Sequence, residues 1–135
     1  MTLRYNDINF DPRWITQGAD EGMIKFADGA GENLKNKKLT TSQIRNIYGE
    51  IKRIQSIGFE KDRSSFYLLK PKVAYTYGRT LKQSRGNLIG NDGLRIFKVI
   101  FDEAAGLVTD EKTYNNFCNL MEAILAYHKF YGGKD

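Results

Sequence analysis

Apolar residues recur at helical intervals through most of this chain. Ile44, Ile47, Tyr48, Ile51 and Ile54 recur at helical spacing, which lines one side of a helix. Thr40 with Gln43 three residues later is a capping-box pair, and Gly58 is a natural stop, so a helix is expected between them. The longest stripe is Tyr114, Phe117, Met121, Ile124, His128 and Tyr131, widened by Cys118 and Leu125. So broad an apolar face predicts a helix packed against several others, opened by Thr109 or Asp110 and closed by Gly132 and Gly133. Another helix is expected from a cap at Asp92, with Leu94, Ile96, Phe97, Ile100 and Phe101 turned inward.

Two segments are less regular. A helix starting near Asp20 carries Met23, Ile24, Phe26 and Ala27, and Gly29 and Gly31 predict that it ends or frays there, leaving Asn33–Lys38 as a connection. A helical region from about Asp62 to Gln83 contains Pro71, which predicts a kink or a restart because proline lacks the amide hydrogen. Arg85–Asp92, with Gly86 and Gly90, reads as a loop. Residues 1–17 hold Tyr5, Phe10, Pro12 and Trp14 without a sustained period and read as an irregular arm that docks through its aromatics. The sum is an all-α chain: one domain spanning residues 1–135, folded as a compact bundle of about five helices.

Composition narrows the function. At 135 residues, 41% hydrophobic and 27% charged, the chain suits one soluble core. No apolar run approaches the roughly 18 residues of a membrane span. Met1–Phe10 lacks the basic-then-apolar layout of a signal peptide, so a cytoplasmic location with no membrane partner is the expectation. One cysteine, Cys118, and one histidine, His128, supply neither an internal disulfide nor a zinc ligand set, and no metal or cofactor is implied. Gly86 and Gly90 are not followed by the Lys-Ser or Lys-Thr of a phosphate loop. His128 shares a helix with Cys118 but sits on an apolar stripe. It reads as a packed, hydrogen-bonded core residue rather than an acid–base catalyst, and no catalytic residue is assigned.

Charge changes the picture more. Between Lys35 and Lys98 there are 15 Lys and Arg against 4 Asp and Glu, a local +11 within a chain whose net charge is +5. The remainder carries 6 against 12, or −6. Such asymmetry in a small domain favours a polyanion. On a helix continuing past Pro71, Lys72, Tyr75, Arg79 and Lys82 fall at i, i+3, i+7 and i+10, placing three cations and one aromatic along one side. Regularly spaced cations can follow a phosphate backbone, and a tyrosine can stack on a base. Arg45, Lys52 and Arg53, around Gly49 and Ser56, lie opposite the isoleucine stripe and form a second such face. Each face taken singly also fits an ordinary solvated surface. Together with Lys35, Lys37 and Lys38 they point to nucleic acid. Two other readings compete: a protein–protein adaptor or dimerising bundle whose cations only solvate it, and a small hydrolase built on His128.

Three blocks also carry a family likeness. Leu39–Ile54, the stretch Leu69-Lys70-Pro71-Lys72-Val73-Ala74-Tyr75 continuing to Tyr77-Gly78-Arg79, and Met121–Gly133 with its Tyr-His-Lys-Phe-Tyr-Gly-Gly piece resemble, in order and spacing, the small subunit of Csm-type (type III-A) CRISPR effector complexes. The likeness covers roughly residues 39–133, and residues 1–33 contribute little. It implies a helical protein without an active site, several copies of which stack in a filament-like ribonucleoprotein beside the other Csm-type subunits and hold guide and target RNA. RNA cleavage and cyclic oligoadenylate synthesis would belong to neighbouring subunits. The implied RNA contacts are Arg45, Lys52, Arg53, Lys70, Lys72, Arg79 and Lys82, with Tyr75 added from the helical spacing. Arg85 and Arg95 are weaker candidates. Sequence-independent backbone contacts suit a subunit whose guide supplies the sequence.

Overall fold

The longest apolar stripe of the sequence becomes the axis of the molecule. A computed structural model describes residues 9–84 and 86–132. In it α6 (Glu111–Phe130) buries Tyr114, Phe117, Cys118, Leu120, Met121, Ile124 and His128. Asp110 caps it by accepting from the Thr113 amide, at 2.9 Å, with Thr113 reaching back to the Asp110 amide. Around it pack α1 (Arg13–Thr16), α2 (Glu21–Asn36) and α3 (Thr41–Ile57). α4 (Arg63–Gly78) packs against α3, and α5 (Asp92–Ala105) packs against α4 and α2. The all-α expectation holds, with five long helices and the single turn of α1. None of these helices is long and apolar enough to cross a membrane.

Two expected boundaries move, each for a physical reason. α2 does not end at its glycines but runs on to Asn36, so residues 33–36 are helix rather than connection. Gly31 is there for contact: a Cβ on it would lie 2.6 Å from the His128 amide nitrogen and 2.6 Å from Tyr127 Cβ. The glycine lets two backbones approach closely at the α2–α6 crossing, a use of glycine that the sequence alone does not distinguish from a stop. α4 likewise runs through Pro71 without restarting. Pro71 is exposed, so the donor it lacks is missing on the side of the helix that water reaches.

α4 stops at Gly78, five residues short of the expected end. Lys82–Ser84 (β1) and Asn87–Ile89 (β2) pair as a short antiparallel hairpin, Lys82 opposite Ile89. Its base is fixed by the Asn91 amide donating to Thr80 Oγ1 at 2.9 Å. Gly90 closes it, since a Cβ there would meet Tyr77 at 2.8 Å and Leu81 at 2.9 Å. The expected loop at 85–92 is therefore largely this hairpin, apart from Arg85, which lies outside the described residues. Asn91, not Asp92, caps α5 by accepting from the Leu94 amide.

The described part of the arm, residues 9–17, docks through its aromatics and includes the helical turn α1. Phe10 and Trp14 are buried, with Phe26 of α2 against both rings, and Asn116 of α6 donates to the Ile15 carbonyl at 2.8 Å. Tyr5 lies outside the described residues. His128 is a core residue, 1% exposed, with Nε2 2.6 Å from the Leu39 carbonyl oxygen. Cys118 is buried, and burial pushes its thiol up to about 11, away from the range of a reactive thiolate.

Candidate nucleic-acid interface

The basic faces sit on α3 and α4, joined by Gly58, the 3-10 turn Phe59–Lys61 and Asp62. So short a link between packed helices makes them antiparallel neighbours. Ion pairs from Arg53, near the end of α3, to Asp62 at the start of α4 agree with that. Arg45 therefore lies at the end of the pair where α4 finishes and Arg79 stands.

All eight candidate residues are exposed: Arg45, Lys52, Arg53, Lys70, Lys72, Tyr75, Arg79 and Lys82. They do not form one line. Lys72 and Arg79 are seven residues apart, so they lie about 20° apart around the axis and about 10 Å apart along it, with Tyr75 between. Tyr75 is 68% exposed, and the Arg79 guanidinium stands 5.8 Å from its ring centroid, a cation–π contact. Lys70, two residues from Lys72, is turned about 200° away and flanks the opposite side of α4. Lys82 leaves the helical series altogether, because it opens β1. The hairpin carries it onward from the end of α4 rather than along the same helix face.

On α3 the cations divide. Arg53 donates to Glu50 at 2.7 Å, to Asp62 at 3.2 Å and to Ser65 at 3.0 Å. The Glu50 and Asp62 contacts raise its pKa, and it is largely neutralised within the fold. Lys52 leans the other way, 3.3 Å from Gln55 Oε1 and 4.0 Å from Glu122 of α6. Among the described residues, Arg45, Lys70, Lys72, Arg79 and Lys82 form no ion pair with a carboxylate. Lys72 does stand close enough to Glu50 to help lower that carboxyl's pKa, after the larger effect of the Arg53 hydrogen bond. Gly49, on the outer face of α3, has open space where a Cβ would be.

The periodicity argument missed the middle of the α4 surface. α4 is apolar on two sides: Phe66, Leu69 and Val73 enter the core, while Tyr67 and Leu68, each 58% exposed, share the outer half with exposed Pro71 and Tyr75. The absence of carboxylates was a readable signal. From Arg63 to Asn91 there are six Lys and Arg and no Asp or Glu. Among the described residues, no group of three or more His, Cys, Asp and Glu is placed to hold a metal ion.

Residues 19–134 match the family described as Csm2 Type III-A. The chain belongs to the type III-A Csm2 family. It is 33% identical over 121 residues to the CRISPR system Cms protein Csm2 of Streptococcus thermophilus, an overlap of 86% of this chain and 96% of that protein. The Csm2 match extends back to residue 19, so α2 belongs to the family fold as well as the three blocks that carry the likeness in sequence. Csm2 membership makes this a small subunit of a type III-A CRISPR complex, with other Csm subunits as its neighbours.

Proposed function

We propose that the chain is a non-catalytic subunit that holds guide and target RNA by sequence-independent backbone contacts, several copies standing in series along the strand. The observation that carries this reading is the acid-free run from Arg63 to Asn91, whose Lys72 and Arg79 share one side of α4 and, among the described residues, form no ion pair with a carboxylate. Arg45 and Lys52 on α3, Lys70 on the far flank and Lys82 on the hairpin widen the positive surface around it. Arg53 contributes through the shape of the α3–α4 junction rather than through free charge. Lys and Arg contacts to phosphate carry no sequence information, which suits a subunit used with any guide.

Each copy binds weakly by itself, and the array holds by multivalency. A head-to-tail arrangement extends along a strand because its interface is heterologous. Phe130, 75% exposed at the end of α6, offers such an interface an apolar anchor.

The test is salt-dependent binding of single-stranded RNA to the isolated chain. Affinity should fall with a log–log slope of about −0.7 per phosphate contact. Replacing Lys72, Arg79 and Lys82 together by Ala should make that slope shallower and weaken binding at low salt, with helicity unchanged. RNA binding that survives the triple replacement undiminished places the contact surface elsewhere. Absence of binding at low salt favours the adaptor reading.

A further inference from the structure

The outer face of α4 is apolar and aromatic at its centre and cationic along its borders, and its chemistry is more specific than phosphate attraction. Tyr67, Leu68, Pro71 and Tyr75 occupy the centre, all exposed. Lys72 and Arg79 border one side, and Arg63 and Lys70 the other. Each exposed tyrosine has an arginine one helical turn away. Arg79 stands 5.8 Å from the Tyr75 ring centroid, and Arg63, on the Tyr67 side, pairs with Glu60 at 2.6 Å and stands over the Phe59 ring. The two rings are eight residues apart, about 12 Å along the helix.

An apolar strip left in water needs an occupant with apolar faces. The flanking cations require that occupant to be anionic along its edges, and the acid-free run excludes a basic one. A nucleic-acid strand with its bases unpaired has both properties: flat π faces for Tyr, Leu and Pro, and phosphates for Lys and Arg. An A-form duplex has only the second, because its bases are stacked on one another inside the helix. We infer that the Tyr67–Leu68–Pro71–Tyr75 face is a stacking platform for unpaired nucleobases of single-stranded RNA, with Tyr75, backed by Arg79, as its principal ring. This rests on the RNA-binding reading and adds to it a preference for unpaired bases.

The experiment uses the full chain and three fluorescein-labelled probes of equal length: an adenine-rich single strand, an abasic ribose-phosphate strand and an RNA duplex, each titrated over a range of salt. Tyr75→Ala should weaken binding to the single strand by about tenfold, within the range that loss of one stacked base produces. Its salt slope should stay unchanged, and so should affinity for the abasic strand and the duplex. Tyr75→Phe should bind as the parent does, since the ring and not the hydroxyl is used. Leu68→Ser should repeat the Tyr75→Ala pattern more weakly. Both positions are exposed, and thermal melts verify that the variants stay folded.

Salt-dependent binding to all three probes that ignores Tyr75→Ala and Leu68→Ser overturns the platform and leaves phosphate binding intact. No salt-dependent binding to any probe overturns both readings. Variants that bind RNA normally but fail to co-assemble with the other Csm subunits make this face a protein interface, and that also overturns the platform.

Discussion

Gly31→Ala tests the central packing of the fold, and its magnitude can be worked from one contact. The added methyl would sit 2.6 Å from the His128 backbone nitrogen, 2.6 Å from Tyr127 Cβ and 2.8 Å from the Tyr127 carbonyl carbon. These atoms belong to α6 and cannot rotate aside, so α2 and α6 must separate. Overpacking of this kind costs about 1–3 kcal/mol. Against it stands the helix-propensity gain of replacing glycine by alanine, about 0.5–1 kcal/mol. Gly29→Ala supplies the internal reference: it lies in the same helix, and its Cβ would meet nothing within 4 Å. Gly29→Ala should therefore stabilise by up to about 1 kcal/mol, and Gly31→Ala should destabilise by about 1–2 kcal/mol. Subtracting one from the other cancels propensity and leaves the steric cost, about 1–3 kcal/mol. Urea unfolding of both variants at unchanged m-value measures it, and thermal scans should separate the two by about 3–15 °C. Equal stability of the two variants would refute the close crossing. Destabilisation by Gly29→Ala would instead restore the expectation that the helix ends at its glycines.

Two further outcomes follow from single hydrogen-bonded groups. Tyr114 donates to the Ile51 carbonyl at 2.6 Å while its ring stacks on Phe59, so Tyr114→Phe keeps the packing and should cost about 1 kcal/mol in urea unfolding; an unchanged midpoint would mean that bond contributes nothing. Asp62 is held below the ordinary carboxyl value of 3.8 chiefly by the Ser65 hydroxyl, and Asp110 chiefly by the Thr113 amide. Their folded-state values lie below the unfolded ones, so the stability they add is full above about pH 5 and disappears as pH falls through the folded values. Asp110→Asn preserves an N-cap acceptor and should flatten the acid limb of a stability–pH curve, whereas an unaltered limb would show that Asp110 adds nothing there.

What could be read from sequence was what local spacing dictates. The Ile44–Ile54 stripe with its Thr40–Gln43 box and the Tyr114–His128 stripe fold as the intervals require. What could not be read depended on partners distant in sequence. Gly31 and Gly29 look alike in the chain, yet only Gly31 faces another backbone. Pro71 is compatible with a continuous helix because it falls on the solvent side, a fact settled by which face of α4 the core claims. Lys82 left its helical series because the chain turns at Thr80, whose hydroxyl takes the Asn91 amide eleven residues away. Arg53 looked as available as Arg45, but its acceptors Asp62 and Ser65 come from the next helix. Composition was the better guide to the site: the acid-free stretch needs no register to be seen.

α4 also departs from what stability alone would choose. A mid-helix proline is unfavourable by about 3 kcal/mol relative to alanine. Exposed Leu68, Tyr67 and Tyr75 gain little from folding, because their surface is mostly not removed from water. No proline or glycine interrupts α6, the structural hub, and its outward positions Asn115, Asn119, Glu122 and Ala126 are small or polar, with an exposed aromatic, Phe130, only at its end. Among the described residues, more of the exposed large hydrophobic side chains fall on α4 (Tyr67, Leu68 and Tyr75) than on any other helix. A helix selected only to close the bundle would hold Ala, Glu and Lys at those outer positions. The outer side of α4 is cationic at its edges and apolar at its centre, and the helix itself carries no carboxylate, which is the chemistry that the proposed contact with unpaired RNA requires.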